Sequence, residues 1–272
     1  MGLPFVFTSI PATGAALRAA ALEMVVLAGH LLLYPTGILP ERPAARTGRG
    51  SCAAAPPGTG ARPPALLLHG FTDNRAVFVL LRRALARGGH RRVETYDYSP
   101  FTRDVRAAAR LLADRVDDLC ARTGAQRVDL VGHSLGGLIA RYYVQRLGGD
   151  TRVRTLVTLG TPHAGTRVAP GAGAHPVIRQ IRPGSAVMTE LASPAPGCRT
   201  RFVAFWSEFD QLMVPVETAR LDHPDLRVEN VQVTGIGHLA LPKHPAVIAA
   251  VHRALDGPAL VAPAAPGTAS VA

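Results

Sequence analysis

Lysine is almost missing from this chain of 272 residues: Lys243 is the only one, and the rest of its 30 basic residues are arginines. Against 19 acidic residues they leave a formal net charge of +11, but they are scattered rather than gathered. The stretch "RRVETYDYSPFTRDVR", Arg91 to Arg106, interleaves Arg with Asp and Glu. No zinc-finger spacing, RNA-recognition signature or basic-region zipper accompanies the charge, which sets nucleic acid aside as a partner. Attraction to an anionic lipid surface stays open. Cysteine is scarce as well. Cys52, Cys120 and Cys198 form no C-x-x-C pair, so a cysteine zinc site or a thioredoxin-type redox pair is not expected. A Cys120 to Cys198 bridge in an exported protein and three reduced thiols are equal alternatives. Neither a cofactor nor a metal is called for.

A long unbroken apolar run is also lacking. The nearest candidate, "LRAAALEMVVLAGHLLLYPTGIL" from Leu17 to Leu39, is interrupted by Glu23 and His30 and closed by Pro35, leaving too little to span a bilayer with ease. It makes a poor cleavable signal: only Arg18 supplies positive charge ahead of it, and no small-x-small cleavage site follows. Glu23 and His30 are seven apart and on a helix share one face, with Leu27 between them. That pattern suits a helix lying on a membrane or packed on its own domain. Residues 1–39 are therefore expected to hold an apolar, membrane-associated or packed helix, with membrane association favoured and secretion the other localisation. Residues 40–64, dense in Pro, Gly, Ala and Arg, read as a linker, and residues 257–272 as a disordered tail.

Between them, residues 65–256 alternate. "ALLLHG" is strand-like, and "AVFVLLRRALARGG" has helical spacing with a glycine stop. "RVETYDY" is a second strand, and Thr102 to Gly124 a long amphipathic helix with Thr102 as candidate cap. "RVDLVG" leads into the helix "LGGLIARYYVQRLGG". Further strands are expected in "RVRTLVTLG", "TRFVAFWS" and "RVENVQVTG", and a last helix in "HPAVIAAVHRALDG". Apolar strands alternating with helices imply an α/β domain with a mostly parallel central sheet and helices on both faces.

The chemistry centres on Gly132-His133-Ser134-Leu135-Gly136, set between a strand and a helix. A strand that turns at once into a helix brings backbones into near contact, so residues two before and two after the serine must be small, and the turn lifts the hydroxyl clear of the sheet. A serine needs a base, and the base an orienting carboxylate, expected in that order on later loops. Asp210 follows one strand and His238 the next. Glu208 is the alternative acid; Asp210 is preferred because it lies farther into its loop, ahead of the apolar "LMVP". The other histidines are expected to be bland: His90, His223, His244 and His252 solvated, and His69 a structural residue beneath its loop. The Leu135 and Phe71 amides are placed to form an oxyanion hole, with Gly70 permitting close approach.

The motifs "LLLHGF", "VDLVGHSLGGLIARYYV", "TLGTPHAGT", "SEFDQLMVP" and "GIGHLALP" together resemble the α/β-hydrolase superfamily, and within it bacterial triacylglycerol lipases and esterases. The resemblance spans Ala65 to Asp256 and implies a serine hydrolase acting on carboxylic esters with a lipid preference. His163 then shapes the pocket wall. The segment Arg167 to Arg199, where such enzymes carry a lid, is short and expected to hold one helix at most. The same triad would serve an acyltransferase or thioesterase, and a catalytically silent membrane-bound interaction module is the remaining alternative. An ester or lipid is the expected small-molecule partner; the oligomeric state is not legible.

Overall fold

The computed structural model describes residues 14–38, 62–71, 73–90, 92–98, 102–167 and 175–257. Cys52, all but the last three residues of the expected linker, and all but the first residue of the expected tail lie outside them. A helix α1 (Gly14–Ile38) comes first. Then follow β1 (Ala65–Leu68), α2 (Val79–Arg87), β2 (Val93–Tyr96), α3 (Val105–Thr123), β3 (Val128–His133), α4 (Leu135–Arg146) and β4 (Val153–Leu159). The short helices α5 (Pro176–Gln180) and α6 (Ala186–Ala192) precede β5 (Arg201–Ser207), β6 (Arg227–Val233) and α7 (Pro245–Asp256).

The strands form one six-stranded sheet in the order β2-β1-β3-β4-β5-β6, parallel throughout. Parallel strands joined by helices are covered on both faces, which is why β1 reads as a continuous apolar run and both β1 and β3 are wholly buried; the one acid inside β3, Asp129, is paired with Arg154 at 2.6 Å. One face packs under α3, α4, α5 and α6, with Leu66, Leu130, Leu112, Leu119 and Leu138 at its centre. The other packs under α2 and α7, with Leu67, Val131, Phe205, Leu81 and Val251. Truncating one of these fully buried leucines to alanine costs about 2–5 kcal/mol.

Local signals set most element ends. The α3 cap is Asp104 rather than Thr102: its carboxylate accepts the Arg106 N–H at 2.8 Å, satisfying one of the free amides of the first turn. Gly124, at φ 70°, stops the helix. The segment expected to hold at most one helix holds two, α5 and α6, the second capped by Ser185 through the Met188 amide. Cys120 and Cys198 are both free thiols, so the bridge alternative is not the one adopted. His90 and His223, expected to be solvated, are 2% and 6% exposed; His223 accounts for itself by holding the Ser193 carbonyl at 3.1 Å.

Chain order reverses between β1 and β3: from β1 the chain moves out to β2, then crosses back to the far side of β1. The loops leaving the carboxyl ends of β1 and β3 therefore diverge to opposite faces and open a crevice between them, the place where open α/β sheets bind ligands.

Candidate active site

Ser134 stands at that crevice, between the last residue of β3 and the first of α4. Its backbone has φ 52° and ψ −120°, and among the described residues it is the only non-glycine with positive φ. The turn is held by the Ser134 N–H donating to the Leu159 carbonyl at 2.9 Å and by the Thr161 hydroxyl donating to the Ser134 carbonyl at 3.0 Å. Tight apposition makes the glycines obligatory. A Cβ on Gly132 would sit 2.5 Å from the Gly137 nitrogen, and one on Gly136 would strike the carbonyls of Leu68 and His69. The small residues that the sequence places around the serine are thus where helix α4 crosses β3 and β1.

Asp210 and His238 come together. His238 Nδ1 donates to Asp210 Oδ2 at 2.8 Å, with both side chains almost fully buried. The second carboxylate oxygen of Asp210 accepts the amides of Leu212 and Met213 at 3.0 and 3.2 Å, so the acid is fixed by its own loop. With the proton held at Nδ1, the imidazole presents Nε2 as the acceptor. Burial pulls the His238 pKa down, but the charge and hydrogen bond of Asp210, with smaller contributions from Asp73 and Glu23, raise it above 6.5. Glu208, the alternative acid, instead accepts the Gly235 amide at 3.3 Å.

The bridge between this pair and the serine is His133, next to Ser134 in the chain. Its Nε2 lies 3.2 Å from the His238 carbonyl, its ring 4.8 Å from that of His238, and its Nδ1 3.3 Å from Asp73 Oδ2. Desolvation lowers its pKa and keeps it neutral. From the β1 side, Gly70 closes on Ser134: a Cβ there would be 3.3 Å from that of the serine. Phe71 follows in the turn, half-buried against His175. Leu135 is the first residue of α4, whose amide has no acceptor within its own helix. These are the two positions expected to hold an oxyanion.

His69 and His163 take structural places. His69 stacks on Tyr98 at 4.4 Å, and the Tyr98 hydroxyl donates to its carbonyl at 2.7 Å. His163 is buried with its Nε2 2.9 Å from the Thr158 hydroxyl, its pKa driven well below 6.5 by burial and by the charge of Arg141. Arg141, which sequence reasoning passed over, is buried on α4 and donates to the carbonyls of His163 and Leu191 at 2.8 and 2.9 Å. It ties α4 to the "TPHAG" loop and to α6. Gly160 was also passed over: a Cβ there would be 2.8 Å from Asp210 Oδ2 and 3.0 Å from His238 Nδ1. Its signal was its place right after β4, where a loop borders the carboxyl end of the sheet.

Among the described residues, one group carries donors suited to a metal: His90, His252 and Asp256, whose ligand atoms lie within 4.8 Å of one another. Arg62 already pairs with Asp256 at 3.0 Å, and His90 precedes β2, so the group lies at the opposite edge of the sheet from Ser134.

The fold has counterparts among known proteins. A profile of the alpha/beta hydrolase fold matches residues 63–178. A triacylglycerol lipase of Pseudarthrobacter phenanthrenivorans is 43% identical over 54 residues, which is 20% of this chain and 16% of that lipase's length. Among solved structures, Bacillus licheniformis lipase BlEst2 in its mature form is similar with a TM-score of 0.61 at 16% identity, covering 72% of this chain and 93% of that one. Aspergillus fumigatus lipase B reaches a TM-score of 0.61 at 16% identity over 74% of this chain and 54% of its own. At such identities the likeness is one of fold.

Proposed function

We propose that this chain, α/β-hydrolase in fold and similar to lipases and esterases, is a serine hydrolase that cleaves carboxylic esters, lipid esters of the triacylglycerol kind among them. The observation that carries the reading is the buried 2.8 Å contact of His238 with Asp210, set through His133 beside a serine held at positive φ. Ser134 Oγ attacks the ester carbonyl as His238 Nε2 takes its proton, and Asp210 stabilises the imidazolium through Nδ1. The Leu135 and Phe71 amides receive the oxyanion. His238 then gives the proton to the departing alcohol, and water, activated by the same imidazole, releases the acid from Ser134.

Around the site, α1 offers a second support. Its outer side bears Leu17, Met24, Val25 and Leu32, between 63% and 81% exposed, while Ala19, Leu22 and Val26 face the domain. None of the described helices is long and apolar enough to cross a membrane. A helix with one apolar side outward, on a protein of net charge +11, fits a position flat on an anionic lipid surface, where the substrates of a lipase reside.

The test is labelling with a fluorophosphonate probe and turnover of p-nitrophenyl esters, emulsified triglyceride and acyl-CoA. Wild type should be labelled and hydrolyse the esters. Ser134→Ala should lose labelling and several orders of magnitude in rate while staying folded. A wild type that is folded and unlabelled overturns the reading, and preference for acyl-CoA would make it a thioesterase or acyltransferase.

A further inference from the structure

The loop that carries His238 is gripped from an unexpected quarter. Glu23, on the domain-facing side of α1, accepts two amides with its carboxylate: Oε2 takes the Leu239 N–H at 3.0 Å and Oε1 the Ala240 N–H at 2.9 Å. These are the two residues directly after the proposed base. Gly237, directly before it, lies so close beneath that any Cβ would collide with the Glu23 side chain. The carboxylate thus fills the turn on both sides of His238. Ala19, Leu22 and Val26 pack on that face, Glu23 brings a carboxylate to it, and the amides it binds would otherwise need another acceptor.

We infer that Glu23 is a positioning residue for His238, and that α1 is an active-site element whose lipid-facing side and catalytic grip lie on opposite sides of one helix. The inference rests on His238 being the general base. Charge-assisted bonds to two successive amides fix the direction of the turn, and with it the line along which Nε2 meets Ser134. A helix seated on lipid through Met24, Val25 and Leu32 carries Glu23 with it, so the attitude of α1 at the surface is passed to the base without any contact between lipid and His238. The titratable groups around His238 are Asp210 from the β5 loop, Asp73 from the β1 loop, Glu23 from α1, and the neutral His133 at the end of β3. Lys243, in the same loop, faces Asp73 and Glu23 in turn.

The test uses the full-length chain and a short soluble ester, with kcat, KM, the pH profile of kcat/KM and the rate of fluorophosphonate labelling as readouts. Glu23→Ala should lower kcat and labelling by about ten- to a hundredfold with KM nearly unchanged, the size expected for a misplaced catalytic group. Glu23→Gln keeps the shape of the side chain and one acceptor oxygen; it should fall between the two and move the acid limb of the profile to lower pH, because a negative charge near the imidazolium is gone. Rates and acid limb matching wild type in both variants, whatever their melting temperatures, would show that Glu23 only fastens the helix, and the inference would be overturned alone. A wild type that no probe labels would remove it together with the hydrolase reading.

Discussion

At Ser134 the chain accepts a backbone conformation, φ 52° with ψ −120°, that costs an L-residue on the order of 1–3 kcal/mol. Glycine escapes that cost. Ser134→Gly should therefore be more stable than Ser134→Ala by about 1 kcal/mol in urea denaturation, with both inactive; coincident midpoints would mean that the turn stores no strain. The proposed base makes a second case. His238 must be neutral to accept a proton, so activity rises with pH through its pKa, which Asp210 raises above 6.5 against the pull of burial. Asp210→Asn should lower kcat by about 10⁴ and shift the acid limb of kcat/KM toward lower pH, read from a pH series on one soluble ester. The same raised value means that protonated His238 stabilises the fold: that contribution is full below pH 6.5 and fades as pH climbs through the folded pKa. Ser134, Asp210 and His238 were legible because each follows a strand at the carboxyl edge of the sheet. Glu23 was not, since its partners are 216 and 217 residues away and no local pattern connects them. His90 and His223 were misread because a histidine preceding a strand or within a loop gives no local sign of burial.

Among the elements, the core strands and the helices α3, α4 and α7 followed from periodicity and glycine stops. The side chains that cap two helices did not. Both α5 and α7 are capped by a histidine before a proline: His175 Nδ1 accepts the Val177 amide and His244 Nδ1 the Ala246 amide, each at 3.3 Å. Histidine is not among the usual cap residues, and proline at the first helical position was the readable half of the signal. For α1 the difficulty was different. It is apolar on both sides, so spacing alone could not tell the packed side from the open one, and Leu27, set by spacing between Glu23 and His30, is 36% exposed. The open side makes a prediction for the element. Replacing Met24, Val25 and Leu32 together by serine should leave the melting temperature unchanged, since all three are exposed, and weaken sedimentation with anionic vesicles by about tenfold or more, given the apolar area removed. Undiminished binding would assign lipid attachment to some other part of the molecule.

On the scale of the whole molecule, the parts of the proposed active site hang from four parallel strands, β1, β3, β4 and β5, and from the loop beyond β6, all at one edge of the sheet. That edge was legible from the alternation of strands and helices, because parallel strands place every strand-to-helix loop at the same end. The charge of +11 was legible too, but how α5, α6 and the first helix lie against the sheet depends on contacts between distant parts of the chain. The grip of Glu23 on Leu239 and Ala240 has a consequence for biosynthesis. The acceptor is translated 216 residues ahead of the first of its donors, so a nascent chain can assemble the sheet and even the serine turn before the loop of His238 is fixed. The grip on that loop then waits until Leu239 and Ala240 have been made and can meet Glu23.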